Sequence, residues 1–560
     1  MDHESTKQFN ERLAQWVANQ GFWFQLRYSM AGGGASVLMY HTLRLLMRLG
    51  IFLAVVAALS FYLLVRRTDQ ASFHTNFKDG IVSAFECKSG RIKSFNRTQN
   101  RASIRYLTLE GGPNSFMESV EATGISFRMG LLDGLMGQWD ANQITVERMS
   151  LNVKAGAETT EEAAALARAV SKRFDSLRFQ ALECPNTRIS WGYSPRTMGS
   201  ISQSRMVVIR EENGWRLRFT GGTFQQNWLR NLHIDELILV CTSESIVVEK
   251  GLFTVLRPAS ELAENKINGK VTFEDVKVMG GLRPSFSGSV IFENLPLQEL
   301  LQDSYHDYLQ GSISGRLKMQ GSTNSTDGVT LAGRISLNEE DEIVLRSQLP
   351  LFNSLSILNP AGSFRKVTFS QGFCNIKTSG GTLQVSDISL SAPEQMDMRG
   401  SFLVRPAKQE EINEMLRKGS ITDDMARGAS LNAVEMANGS DELSLRRAME
   451  LAGKEENATA LDTKVTDAGL PFAADVLEAE SQLKTAEKLA MTAIFEGLVT
   501  LTMPSAPFKN ATGIAKMARS MDATSLVLEC PLTGNLYDLT RVQAENLLVI
   551  EKKDTSDIPK

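Results

Sequence analysis

Cysteine and histidine are scarce in this chain, and neither is arranged to do chemistry. Five cysteines lie scattered through 560 residues, at Cys87, Cys184, Cys241, Cys374 and Cys530. Without a CxxC spacing they form neither a disulfide framework nor a zinc site. Buried thiols are the expectation, with one bridge left open if that part of the chain meets an oxidising compartment. The five histidines, His3, His41, His74, His233 and His306, contain no HExxH and no pair at metal-ligand spacing. A G-x-S-x-G elbow is missing too, because "GSISG" at 311–315 carries Ile313 at the nucleophile position. There is no P-loop and no dinucleotide-binding fingerprint. An excess of positive charge is also lacking: 60 Lys and Arg stand against 64 Asp and Glu, net -4, which gives no basic stripe for nucleic acid. These absences point to a protein that is not an enzyme and takes no metal or cofactor.

One long hydrophobic run is present. "LGIFLAVVAALSFYLLV", 49–65, has no charge and is flanked by Arg48 and by Arg66 and Arg67. At about 1.5 Å per residue it reaches roughly 25 Å, the short end of a membrane-spanning helix. Its distance from the first residue and the lack of a small-residue cleavage site mark it as an anchor and not a signal peptide. Basic residues flank it on both sides, so charge does not set its orientation. Residues 1–48 are expected on the cytoplasmic side. There Phe9, Leu13, Trp16 and Val17 share a helical face followed by "GFWF", which suits either a membrane surface or packing on the protein itself.

From about 79 to 406, within a β domain expected at 75–406, the text is mostly short alternating stretches broken by Gly, Asn and Asp, the pattern of β-strands. Helical spacing interrupts it at 159–174, 295–309 and 350–359. Residues 407–490 turn rich in Ala, Glu, Lys and Met with helical spacing, and read as a helical insertion. Strand patterning returns at 491–550, and 551–560 form a loose polar tail. The fold class expected is therefore mainly β: a long curved antiparallel sheet, preceded by a membrane helix and interrupted by a helical insertion.

Within the strand region one pattern recurs. Two alternating apolar residues are followed by two polar ones and then by two more apolar residues of the opposite parity. It appears as "ITVERMSL" (144–151), "LHIDELIL" (232–239), "VTFEDVKV" (271–278), "VIFENLPL" (290–297) and "LQVSDISL" (383–390). A straight strand would send the two apolar pairs to opposite faces. Glu-Arg, Asp-Glu and Ser-Asp suit a two-residue hairpin turn badly, since such turns want Gly or Asn at positive φ. A β-bulge or sharp bend restores the original face, and is the expectation here. The acidic residues on the bends, Glu147, Asp235, Glu274, Asp275 and Glu293, lack the dense oxygen spacing of a calcium loop and read as solvated turns.

Such a sheet has one apolar face and few amphipathic helices to cover it, so it either folds onto itself or holds an apolar ligand. The residues expected to line that face are Ile144, Val146, Met149, Leu151, Leu237, Leu239, Phe273, Val276, Leu383, Val385, Ile388 and Leu390.

Four stretches carry a family resemblance. Residues 362–404, "GSFRKVTFSQGFCNIKTSGGTLQVSDISLSAPEQMDMRGSFLV", resemble the C-terminal part of AsmA-like proteins, and "PLTGNLYDLTRV", 531–542, looks like that family's closing element. "INGKVTFEDVKV", 267–278, and "GSISGRLKMQG", 311–321, are similar to its internal strands. The resemblance implies a single-pass protein of a bacterial inner membrane with its bulk in the periplasm. It implies a U-shaped β-groove that binds or conducts phospholipid acyl chains in outer-membrane biogenesis or lipid homeostasis. The partners implied are phospholipid, the inner membrane and other envelope proteins. The 48-residue preface and the insertion at 407–490 depart from the family pattern. A scaffold that binds a protein partner is the alternative. An enzyme on a β-helix is disfavoured by the irregular spacing of the octets.

Overall fold

The computed structural model describes residues 3–30, 35–68, 71–98, 100–112, 115, 117–130, 139–153, 177–191, 199–212, 214–226, 229–242, 245–255, 268–279, 285–301, 303–322, 329–346, 352, 355, 364–379, 381–423, 425–427, 429–430, 491–508, 518–536 and 538–539. It divides into two compact units, Met1–Phe77 and Lys78–Lys560.

The first unit is helical: α1 (His3–Ala18), α2 (Phe22–Met30) and α3 (Ala35–Thr68). Within α3, Arg44–Leu63 is long and apolar enough to cross a membrane, with a mean hydropathy of 2.1 and none of it buried. The following helix, α4 (Ala71–Ala84), runs into the β domain expected from 75 and past the expected start of strand patterning at about 79. Phe73, Phe77 and Ile81 recur at a spacing of four, which is helical, and all three are half-buried.

The second unit is one large, mostly antiparallel sheet of 23 strands among the described residues. β1 (Cys87–Thr98) pairs β2 (Arg101–Gly111), which pairs β3 (Met117–Arg128). β3 is flanked by a strand broken into β4 (Trp139–Thr145) and β5 (Arg148–Val153). Both halves lie parallel to β6 (Leu177–Trp191). Parallel neighbours need a crossover connection. Here that connection is 154–176, so the helix expected at 159–174 lies outside the described residues.

From β6 the sheet runs on antiparallel. β7 (Gly199–Glu211) pairs the broken strand β8 (Gly214–Thr220) and β9 (Thr223–Gln226), which pairs β10 (Leu229–Thr242). Next come β11 (Ser245–Val255), β12 (Gly269–Met279), β13 (Ser285–Pro296) and β14 (Leu309–Ser322). β14 pairs both β15 (Val329–Leu337) and β16 (Glu342–Arg346), and these pair β18 (Gln371–Ser379) and β17 (Lys366–Phe369) respectively. β19 (Thr382–Ala392), β20 (Met396–Arg405), β21 (Ile494–Pro504), β23 (Ser525–Gly534) and β22 (Ala518–Met521) complete it. The helix expected at 295–309 is not one helix. β13 continues to Pro296, and only a 3-10 turn at Leu297–Glu299 and one helical turn at Asp303–His306 follow. Pro296 and the extra strand pairing Leu295↔Ile313 win over the helical spacing. Of the helix expected at 350–359, all but Phe352 and Leu355 lie outside the described residues.

The octets are bends, and three of them share one device. In "VTFEDVKV", "VIFENLPL" and "LQVSDISL" the second residue of the polar pair is left-handed: Asp275 at φ 53°, Asn294 at 52° and Asp387 at 50°. Two residues oppose a single one on the neighbouring strand in each: Asp275 and Val276 face Gly288, Glu293 and Asn294 face Ser314, and Ser386 and Asp387 face Ser401, before Lys277↔Ser287, Leu295↔Ile313 and Ile388↔Gly400 resume the pairing. Asp and Asn tolerate this conformation better than other residues with a side chain, which explains their place. Asn294 N donates to Ser314 Oγ at 2.9 Å, and Asn375 Nδ2 donates to Asp387 at 2.8 Å. Opposite Asp275 sits Gly288, where a Cβ would come within 2.8 Å of the Val276 backbone.

The other two octets bend differently. In 144–151 the strand is interrupted between β4 and β5, with Val146 N bonded to Glu183 O and Glu147 N to Thr123 O. In 232–239, Asp235 is skipped in the pairing with β11, where Ile234↔Phe253 is followed by Glu236↔Leu252.

Substituting Asp275 tests the device. Asp275→Val is expected to cost about 1–2 kcal/mol for a branched side chain at positive φ, while Asp275→Gly stays near wild type. Denaturant midpoints of the two variants decide it.

Candidate functional site: the apolar face of the bent sheet

The bends line up across neighbouring strands. Ser94 on β1 (φ 57°) faces Arg105 on β2, which faces Gly124 on β3 (φ 63°). The line continues through the break at 146–147, Pro185 and Asn186 on β6, Gln203 on β7 (φ 55°), Gly221 and Gly222 between β8 and β9, and Asp235 on β10. It resumes at the register shift around Glu249 on β11 and at Asp275 on β12. A second line starts at Asn294 on β13, passes Ser314 and Ser336, and reaches Phe373–Asn375 on β18 and Asp387 on β19.

On both sides of each line the apolar residues keep to one face. Val290, Phe292, Leu295 and Leu297 are all buried, as are Leu232, Ile234 and Leu237. Of the twelve residues expected on the face, Ile144, Val146, Leu237, Val276, Val385 and Ile388 are buried. Met149, Leu151, Leu239, Phe273, Leu383 and Leu390 are half-buried. They fall in three zones of one sheet and not in a single pocket. Leu237 and Phe273 share a row across Gly251, whereas the β19 group lies many strands away.

Sequence reasoning missed an aromatic cluster on this face. Phe224, Phe253 and Phe273, from β9, β11 and β12, place their ring centroids 5.1–5.9 Å apart, and Trp191 of β6 lies 6.1 Å from Phe224. β9 and β12 are three strand spacings apart, roughly 14 Å along the sheet. Rings that meet over that distance show the sheet curled inward there. "TFQQ" gave no apolar alternation from which Phe224 could be found.

The opposite face is polar and stitched along the bends. Glu183 pairs Arg205 at 2.5 Å, Glu236 pairs Arg218 at 2.7 Å and Lys250 at 2.5 Å, and Glu274 pairs Arg316 at 2.7 Å. Hydrogen bonding to Lys250, with the charge of Arg218, holds the Glu236 carboxyl below its usual range. Asp235 accepts from Thr254. Asp235, Glu236 and Glu274 are thus cross-strand partners, and no three His, Cys, Asp or Glu converge as a metal site among the described residues. A cavity of about 620 Å³ lies along the first line of bends, lined by Ser94, Arg105, Gly124, Thr145, Glu147 and Glu183 among others. All five cysteines are free, and burial raises every thiol, to about 11 at Cys241, Cys374 and Cys530. His233 is half-buried on its strand, and His306 Nε2 meets Leu301 O at 3.0 Å at a helix end.

At the far end of the sheet, buried Val367, Phe369, Leu501, Leu526 and Phe508 form a hydrophobic core, with half-buried Leu390 packed against it. Beside it the helix Gln409–Arg417 buries Ile412 and Met415 against Ile421, Ala426 and Ile494. Arg405 clamps it, pairing Glu411 at 2.7 Å and Glu496 at 2.5 Å. This helix opens the expected insertion, while 431–490 lie outside the described residues. Compared with protein-family models, curated proteins and solved structures, the chain matches none.

Hydrogen bonding to Arg405 lowers the Glu411 pKa below the ordinary 4.5. A lowered folded-state pKa adds stability above the unfolded value, and that stability is lost as pH falls through the folded one. Hydrogen exchange of 409–417 should therefore quicken from about pH 4.5 downward, beyond the intrinsic pH trend, and Glu411→Gln should remove that extra dependence.

Proposed function

We propose that the sheet forms the wall of a groove that binds phospholipid acyl chains, and that α3 anchors it in a bacterial inner membrane with the sheet in the periplasm. The observation that carries this reading is the alignment of the bends. A fold line that crosses successive strands turns the two halves of each strand toward one another, so that the stack of strands becomes a trough with apolar walls. Half-buried Leu239, Phe273, Leu383 and Leu390 would meet the chains, and headgroups would stay at the polar rim. Each methylene buried contributes about 0.8 kcal/mol, with no chemical step. The likeness of 362–404 and 531–542 to AsmA-like proteins supports the same reading, and with it a role in envelope lipid homeostasis alongside other envelope proteins.

A second reading has its own support. Where Phe224, Phe253 and Phe273 meet, the interior is filled by the chain's own rings. A face filled in this way throughout would make the protein an envelope scaffold that binds a protein partner.

Lipid analysis of the full chain, purified in detergent, separates the two. Leu239→Gln with Leu383→Gln is expected to lower bound phospholipid at least threefold relative to wild type, with far-UV dichroism unchanged. Lipid around α3 is common to both proteins and cancels. Equal phospholipid in the two would favour the scaffold.

A further inference from the structure

The helical unit holds an aromatic surface that the groove does not use. Trp23 is 74% exposed, Phe9 65% and Trp16 53%, with Phe22 and Phe24 also exposed. Phe9 and Trp16 are seven apart on α1 and share a face. Trp16 meets the edge of Phe24 with centroids 5.5 Å apart, and Phe22 meets Trp23 at 5.7 Å. The two helices are held as a hairpin: Gln25 Nε2 donates to Ala18 O at 2.8 Å and to Gln20 O at 2.6 Å, and Val17 is fully buried. The aromatic rings are therefore presented outward by a folded unit.

The distribution of exposed rings points to what covers them. Among the described residues every exposed large aromatic side chain lies in α1, α2 or α3, and none on the 23-stranded sheet. Those on α3, Phe52, Phe61 and Tyr62, belong to the candidate span. Chain length bounds how far the hairpin lies from that span. From Trp23 to Arg44 the path is at most about 42 Å, counting about 1.5 Å per residue in α2 and α3 and about 3.5 Å for each of the five steps from Met30 to Ala35. Trp and Phe favour the boundary between headgroups and acyl chains, where an amphipathic helix lies in the plane of the membrane. Lys7, Arg12 and Arg27 provide cations for phosphate beside them.

We infer that the α1–α2 hairpin is seated in the membrane interface, with Trp16 and the Phe22–Phe24 tip inserted at the depth of the upper acyl chain. The inference rests on α3 spanning the bilayer and is independent of what the groove holds. It gives the protein a second membrane contact, which restrains how α3 can rotate about its own axis.

The test uses the full chain in nanodiscs of phosphatidylcholine, with and without bromine on the upper acyl chain, and reads tryptophan emission. Wild type is compared with Trp16→Phe/Trp23→Phe, which removes two of the six tryptophans and keeps the aromatic packing. The bromine-quenched share of emission should fall by at least half in the variant. Trp191 and Trp215 remain in both proteins, so lipid in the groove cancels from the difference. An unchanged quenched share would overturn the inference, since the two rings would then lie in water or against protein. A chain that fails to co-elute with nanodiscs would overturn the span and the inference with it.

Discussion

A β-strand has a period of two, and the sheet depends on how this chain breaks that period without losing its face. Each bend inserts a residue that would otherwise throw the following apolar side chains outward. Left-handed residues at Ser94, Gly124, Gln203, Asp275, Asn294 and Asp387 absorb the insertion locally. Because the insertions fall side by side on neighbouring strands, the faces of many strands stay one face. At Asp275, Asn294 and Asp387 the extra residue lies on one strand and disrupts its ladder only locally, whereas the bends at Ser94, Arg105 and Gly124 lie side by side and keep the register one to one.

The polar side follows from the same constraint. Residues at a bend point away from the apolar face, and there they meet partners on the next strand. Glu236 lies between Arg218 and Lys250, on three successive strands, and Glu274 reaches Arg316 two strands away. Exposed ion pairs contribute little each, on the order of 0–1 kcal/mol. Their use here is to satisfy the carboxylates of Glu236 and Glu274, which the bends turn to the polar side. The apolar side needs no such pairing, and only the curl of the sheet decides how much of it stays open.

Much of this could be read in the sequence, and the gaps have physical causes. The slips at 274–275, 293–294 and 386–387 were legible because strong apolar pairs flank a pair ending in Asp or Asn. Those at 147–148 and 235–236 were legible as slips but not as a broken strand or a skipped residue, since both give the same spacing. Ser94, Gly124 and Gln203 escaped because their flanks include Ala122 and Ser204, which carry too little hydrophobicity to register. α4 carries no reading before 79, and its last turn falls in the stretch expected as strand although Phe73, Phe77 and Ile81 keep helical spacing, while 295–309 looked helical although strand pairing and Pro296 decide otherwise. Which half-buried residues meet across the face, Phe224 with Phe273 above all, depends on curvature that no local pattern records.

The central claim is that the apolar face is a lipid-contacting surface and the bent polar face is not. A photoreactive amino acid placed in turn at Leu239, Phe273 and Leu390, and at Arg105, Lys277 and Arg399 on the other side, tests it in living cells. Irradiation of the full chain followed by mass spectrometry of the adducts reads the result. The account predicts phospholipid adducts at the first three positions and none above background at the others. Protein adducts alone at the first three, or lipid adducts spread equally over both faces, would contradict it.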